Sequence, residues 1–374
     1  MTDSADPSMK RSYVAYSSDL ERPRPDEDED IAKIVKVLHG NNERAFKKYK
    51  HAIRDAHAKS HGVLGGELTV YPDLPDHLRQ GLFATPGATY PVIARLSSTA
   101  GIIRSDQVPG VRAIAIKVLG VHGPRALPQD QATTQDFVFV NKAEFPFADA
   151  HDYSKKGMLS AWLLARTPDT ALRLTGGLMG RAARVLSLVG ASLPSTVKLF
   201  TEPNTHILAQ TFNTAAPLRY GDYVAKISVA PLSTSVKELR LQQVRRDAGP
   251  DAQRDMVVDF FRSNSAEYEV RAQLCTDPDK MPIEDAKVPW PESDSPYIRV
   301  ATITFPVQNA YSPQRRAYAD DVLSFNSWRS LADHRPLGSI NRLKNEVYKA
   351  SSRFRHEKNK VSEIEPTDIA QLPD

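Results

Sequence analysis

Eight short runs rich in β-branched and aromatic residues, bounded by Gly, Pro and Asp, recur between residues 65 and 305. They fall at 67–71, 90–97, 112–118, 137–140, 206–212, 223–229, 267–274 and 299–305. A series of this kind predicts an antiparallel β-barrel. Helical material surrounds it. Ile31, Ile34, Val35, Leu38, Ala45, Tyr49 and Ile53 keep helical spacing, so a helix is expected from 31 to about 55. A second is expected from 339 to about 355. The long connection 153–199 is apolar, interrupted by arginines and glycines. It reads as helices packed on the barrel, or as a flap lining an entrance for an apolar substrate or touching a membrane surface. Residues 1–28 are polar and read as an extended N-terminal arm, and 357–374 as a flexible tail. The expected class is therefore α+β.

Composition narrows the chemistry. A length of 374 residues allows one to three domains. The single cysteine, Cys275, excludes an intramolecular disulfide framework and a thiolate-rich metal site. It is expected to be buried and inert. With 49 basic against 45 acidic residues, the net charge of +4 does not suggest a nucleic-acid partner. No secretory signal pattern and no apolar run of ~20 residues is seen, so a cytoplasmic protein is expected. The acidic run 26–30 reads as helix N-terminal charge rather than a metal site. Nucleophile-elbow, dinucleotide-fingerprint and P-loop patterns are absent.

His57 and His61 stand four apart, as zinc ligands on a helix would. The glutamate that belongs beside the first histidine of that pattern is missing, and Gly62, Gly65 and Gly66 argue that the helix ends here. More telling is the order of what surrounds His57. Arg54 precedes it by three. Lys59 follows in His57-Ala-Lys, then a glycine-punctuated strand, Arg95-Leu-Ser97, Asp106, Arg112-Ala-Ile-Ala-Ile-Lys117, Asp136-Phe-Val-Phe-Val140 and Phe145-Pro146. This succession resembles the N-terminal half of the haem catalases, almost without gaps over 54–147. Weaker similarity runs on to 356. The run HAKSHG, the Leu74-Pro75 stretch and HRPLG resemble most the short bacterial catalase-like haem proteins. On this likeness one catalase-like haem domain spans 29–356, with the insertion at about 153–199.

The C-terminal part carries the matching half of the pattern. Catalases write Arg-x-x-x-Tyr, with arginines five and seven residues after the tyrosine. Here Lys344 precedes Tyr348 by four, and Arg353 and Arg355 follow. The resemblance implies haem b with Tyr348 as axial iron ligand, and His57 as the distal base that moves the peroxide proton. Ser97 would orient His57. Arg54, Arg95 and Arg355 would pair with the propionates, where a planar guanidinium suits a carboxylate. Phe145 falls at a haem-face aromatic position. Three departures stand out. Lys344 replaces the arginine that would hold the phenolate, and a point charge does this less well than a planar fork. Val138 replaces an aromatic residue. Thr133 falls where catalases place an asparagine, and its hydroxyl donates only one hydrogen bond. The turn Asp333–Gly338 is expected to set up the Tyr348 helix, with Ser339 or Asn341 as N-cap.

The implied function is haem-dependent breakdown of hydrogen peroxide or another hydroperoxide. A fatty-acid hydroperoxide isomerase or peroxidase, similar to the catalase-related allene oxide synthases, is the second expectation, raised by the changed distal strand and the apolar insertion. A barrel that binds haem or lipid without turnover is the third, raised by Lys344. The implied partner is a small peroxide or organic hydroperoxide. Peripheral membrane contact and assembly into a homo-oligomer are compatible with the sequence.

Overall fold

The computed structural model describes residues 12–158, 166–172, 203–245 and 247–374. Most of the expected insertion at 153–199 lies outside them. Among the described residues nine strands build one antiparallel sheet: β1 Lys59–Val70, β2 Thr89–Ser98, β3 Arg112–Leu119, β4 Thr134–Val140, β5 Phe212–Asn213, β6 Leu218–Tyr220, β7 Tyr223–Pro231, β8 Ala266–Leu274 and β9 Ile298–Phe305. Their order is β5-β4-β3-β2-β1-β9-β8-β7-β6, and β5 also pairs with β7. That pairing, Phe212 with Val229 and Asn213 with Ser228, closes eight strands into a barrel and leaves β6 as a hairpin arm on β7. The eight-stranded α+β barrel expected from the sequence is the observed fold.

Alternation along each strand decides what fills the barrel and what faces out. Ala94 and Leu96 of β2, Ile114 and Ile116 of β3, and Phe137 and Phe139 of β4 belong to the interior core. Their neighbours Ile93, Arg95, Ser97, Ala113, Ala115 and Val138 lie on the outer wall, which carries the site described below. Of two long helices, α1, Glu27–Tyr49, and α2, Ser339–Asn359, the second faces that wall and the first packs on the second. They pack through Ile31, Ile34, Ile340, Leu343 and Val347. Among the described residues no helix is long and apolar enough to cross a membrane.

The structure departs from the sequence reading at several ends. Helix α1 stops at Tyr49 because Lys50 takes a left-handed conformation (φ 56°) and caps onto Phe46 O. Strand β1 then starts at Lys59, eight residues earlier than expected. Its glycines are strand residues pressed by neighbours: a Cβ on Gly66 would stand 2.5 Å from Thr304 O. The expected strand 206–212 is a 3-10 turn, Ile207–Ala209, because His206 Nδ1 accepts from Leu208 N–H; only Phe212 pairs. Helix α2 is capped by Gly338, not by Ser339 or Asn341. Ser339 Oγ accepts from Ala150 N–H, and Asn341 Nδ2 donates to Pro217 O and Leu337 O. Only glycine fits position 338, at φ 82° and with a Cβ site 2.2 Å from Ile283 O.

The tail, expected to be loose, is laid along the barrel. Ile369 and Leu372 pack on Val63 and Ile93. Glu365 pairs with the fully buried Lys117, which also donates to Asp136 at 2.6 Å, while Arg329 bridges Asp136 and Glu365 at 3.0 and 3.2 Å. The described part of the N-terminal arm is anchored too: Val14 N–H donates to Cys275 O at 2.9 Å, and Glu21 holds Arg335 and Arg342. Breaking a buried ion pair leaves its partner uncompensated. Lys117→Met is therefore expected to lower the unfolding free energy by about 3 kcal/mol, measured by urea denaturation, and to expose the tail to limited proteolysis.

Candidate active site

A cleft opens between the outer wall of β2–β4, helix α2 and the segment 318–325. The space between them, open solvent at its mouth included, is about 560 Å³. Arg54, His57, Arg95, Ser97, Val138, Tyr348 and Arg355 all line it, drawn from both ends of the chain. Phe145 and Lys344 sit just beside it: the Lys344 ammonium is 5.9 Å from the Phe145 ring centre, and both Phe145 and Tyr348 pack against the α1–α2 core. Thr133 is not brought in. It precedes β4, its carbonyl accepts from Val121 N–H, and it lies five residues, roughly 16 Å of extended strand, before Val138.

His57 is held by its backbone. It adopts a left-handed φ of 58°, rare for a residue with a Cβ. The conformation is secured on both sides. His57 N–H donates to Thr99 O at 3.2 Å, and Arg95 Nη1 donates to His57 O at 2.8 Å. Ser97 Oγ lies 3.2 Å from His57 Nδ1. The register explains this: β1 and β2 pair in antiparallel fashion, so Ser97 stands beside the start of β1. Burial, reinforced by the charges of Arg95, Lys344 and Arg54, pushes the imidazole down to about 3. It is neutral at physiological pH, with Nε2 bonded to no group among the described residues.

The two histidines have separate fates. A β-bulge between Ser60 and Gly62 turns His61 away from the cleft. His61 Nε2 meets Ser98 Oγ at 2.7 Å and its Nδ1 lies 3.6 Å from Asp106. This resembles a serine–histidine–aspartate arrangement. His61 and Asp106 are 0% and 1% exposed, however, so the cluster is sealed from any substrate.

Three guanidiniums crowd one end of the cleft. Burial and the charges of Arg95 and Arg355 push Arg54 down, and burial brings Arg355 to about 10. Among the described residues Asp320 is the one carboxylate at ion-pair distance, 3.0 Å from Arg95 and 3.4 Å from Arg54. The Nε atoms of Arg95 and Arg355 are buried without a partner. Such a cluster attracts an anion.

Tyr348 and Lys344 lie one helical turn apart on α2. Burial, helped by the Asp55 carboxylate, pushes the Tyr348 phenol well above its usual value. Burial pulls Lys344 down to about 8, and among the described residues no carboxylate pairs with it. Sequence reasoning missed Asp55, Ser351, Asp320 and Phe325. Asp55 N–H donates to Ser351 Oγ at 3.2 Å, and its carboxyl is raised to about 6 by burial. No motif marks these residues. Their only signal is juxtaposition in space.

No family model and no curated protein matches the sequence. Solved structures do. A fungal catalase superposes with TM-score 0.57 at 14% identity, over 92% of this chain and 66% of its own. A bacterial catalase gives 0.54 at 15%, over 91% and 63%. Catalase A of Saccharomyces cerevisiae gives 0.57 at 15%, over 96% and 73%. The chain has the catalase fold. It spans about two thirds of the length of the fungal and bacterial catalases it matches. Within this catalase fold, Tyr348 comes from α2 and His57 from the entry to β1, and the barrel wall lies alongside both.

The residues fit a flat, dianionic macrocycle. The wall of Ala113, Ala115 and Val138 is apolar. The arginine cluster carries three positive charges against one carboxylate, and two of its donors are unused. A phenol and a neutral imidazole line the same space.

Proposed function

We propose that this chain is a haem-dependent oxidoreductase that breaks down peroxide. The observation that carries the reading is that His57, Tyr348 and the Arg54–Arg95–Arg355 cluster line one cleft although they come from opposite ends of the chain. Tyr348 would hold the iron of haem b, and the three arginines its propionates, with Phe145 beside the ring. When bound, haem supplies an iron centre that exchanges two electrons with peroxide. Everything else falls to the chain. His57 is neutral and sterically fixed, so its free nitrogen can take the proton from one peroxide oxygen and deliver it to the other. Ser97 keeps the imidazole ring from turning. In the catalase reaction two hydrogen peroxide molecules give two waters and one oxygen molecule.

One observation favours a bulkier substrate as the second reading. Val138 is a small side chain on the cleft wall and Thr133 stands outside the cleft, so the wall is apolar there and lacks the polar anchor expected from the motif. An organic hydroperoxide would gain from both changes. Oxygen evolution from hydrogen peroxide separates the readings from loss of the conjugated-diene absorbance of a lipid hydroperoxide without oxygen release. A protein that takes up haemin and turns over neither substrate would be the non-catalytic binder that Lys344 raises.

The pH profile offers an independent check. The His57 value is lowered from 6.5 to about 3, so the residue stays a base throughout the neutral range. The peroxide rate is expected to be flat from pH 5 to 8, measured by stopped flow on loaded protein. The linked stability does change with pH: it is complete above the unfolded value near 6.5 and is lost as pH falls toward 3. A rate that halves near pH 6.5 would remove His57 as the proton carrier.

A further inference from the structure

The turn Tyr318–Val322 lies against the arginine cluster at the end of the cleft. Arg54 Nη2 donates to Ala319 O and Leu323 O at 2.6 and 2.7 Å. Arg355 donates to the carbonyls of Asp320, Asp321 and Leu323 at 2.6, 2.8 and 3.0 Å. The turn therefore fixes the guanidiniums through its backbone. Only one of its side chains enters the cluster. Asp320 Oδ1 accepts from Arg95 at 3.0 Å and Arg54 at 3.4 Å, while its Oδ2 lies 3.7 Å from the exposed Arg316. The adjacent Asp321 turns away to His51 at 2.6 Å and Asn359 at 3.2 Å.

Backbone carbonyls already position Arg54 and Arg355, so the Asp320 carboxylate is not needed to hold them in place. Its effect is to occupy hydrogen-bonding positions that a carboxylate would take, and to add a negative charge where an acidic ligand must enter. We propose that Asp320 competes with the carboxylates of an acidic cofactor for Arg54 and Arg95, and so sets how tightly the cleft takes it. This rests on the haem reading above and deepens it by naming the residue that controls affinity. Two ligand carboxylates would then share the cluster with a resident third.

The test is titration of the full-length chain with haemin, followed by the Soret band, and with metal-free protoporphyrin IX, followed by fluorescence. Asp320→Asn is expected to bind both diacids roughly 10- to 100-fold more tightly than wild type. It should bind protoporphyrin dimethyl ester, which has no free carboxylate, as wild type does. Arg316→Gln releases Asp320 from its outer partner and leaves it to the inner arginines. It is expected to bind the diacids several-fold more weakly, and its exposed position keeps this arm readable if Asp320→Asn folds poorly. Asp321→Asn should match wild type. Diacid affinities that stay level or fall in Asp320→Asn, or that rise equally for the ester, overturn the competition. If wild type shows a Tyr348-dependent Soret band while the Asp320 and Arg316 variants leave affinity unmoved, only this inference falls. Absence of porphyrin binding in every protein overturns the haem reading with it.

Discussion

Tyr348→Phe is expected to cost at least ~100-fold in haemin affinity and to remove any phenolate-to-iron charge-transfer absorption. Loss of groups that merely support a metal ligand costs about 10- to 100-fold, and here the ligand atom itself is deleted. The wild-type phenol is protonated before it meets a metal, since burial and Asp55 oppose its anion. Haemin uptake should therefore release a proton, detectable by weakly buffered titration, and Tyr348→Phe should release none. Lys344→Arg is informative beside it. A planar fork at that position would favour the phenolate better than a point charge, so the variant should load haemin at lower pH. A Tyr348→Phe protein with an unchanged spectrum would assign the iron to another ligand.

His57→Ala is expected to lower peroxide turnover by about 10²- to 10⁴-fold, the range ascribed to a positioned acid–base group. Haem content should stay near wild type, because the arginines and Tyr348 are untouched. The comparison with Ser97→Ala is a sharper measure. Deleting the 3.2 Å contact leaves the imidazole in place but free to rotate, so the loss should be smaller and should fall on the rate rather than on haem binding. Alanine also relieves the left-handed backbone poorly, so His57→Gly serves as the control for strain. Full turnover in His57→Ala would transfer the proton-moving role elsewhere.

Much of the fold was legible because barrel strands announce themselves by alternation and by their bounding turns. The expected limits of β7, β8 and β9 lie within two residues of the observed ones. The start of β1 was missed since its glycines look like a helix end, yet β9 crowds Gly66, Val257 and Ala310 crowd Gly62, and Leu372 and Ile369 of the tail crowd Gly65. The run 206–212 has strand composition, but a local bond from His206 to the backbone wins over pairing. The tail looked soluble and loose because its glutamates read as solvated charge. Their partners, Lys117 and Arg329, lie far off in sequence. The site followed the same division. His57, Ser97, Arg95, Tyr348 and Arg355 sit in ordered motifs, and the fold brings them to one cleft. Asp320 and Asp55 gain meaning only from the cations and hydroxyls that folding sets beside them. Thr133 was placed by alignment of motifs, and strand length carried it out of reach.

The cleft lies on the outer wall of the barrel, not within it. Strands β1 to β4 are chain neighbours joined by short or moderate connections, so their pairing closes small loops. Docking α2 onto that wall closes a longer loop, since Ser339 follows the end of β4 by about 200 residues, at an extra entropic cost of roughly 2 kcal/mol. The wall with His57 and Arg95 can thus exist before Tyr348 arrives. A cofactor resting on that half-built surface would recruit α2, acting as the scaffold around which assembly of the site is completed.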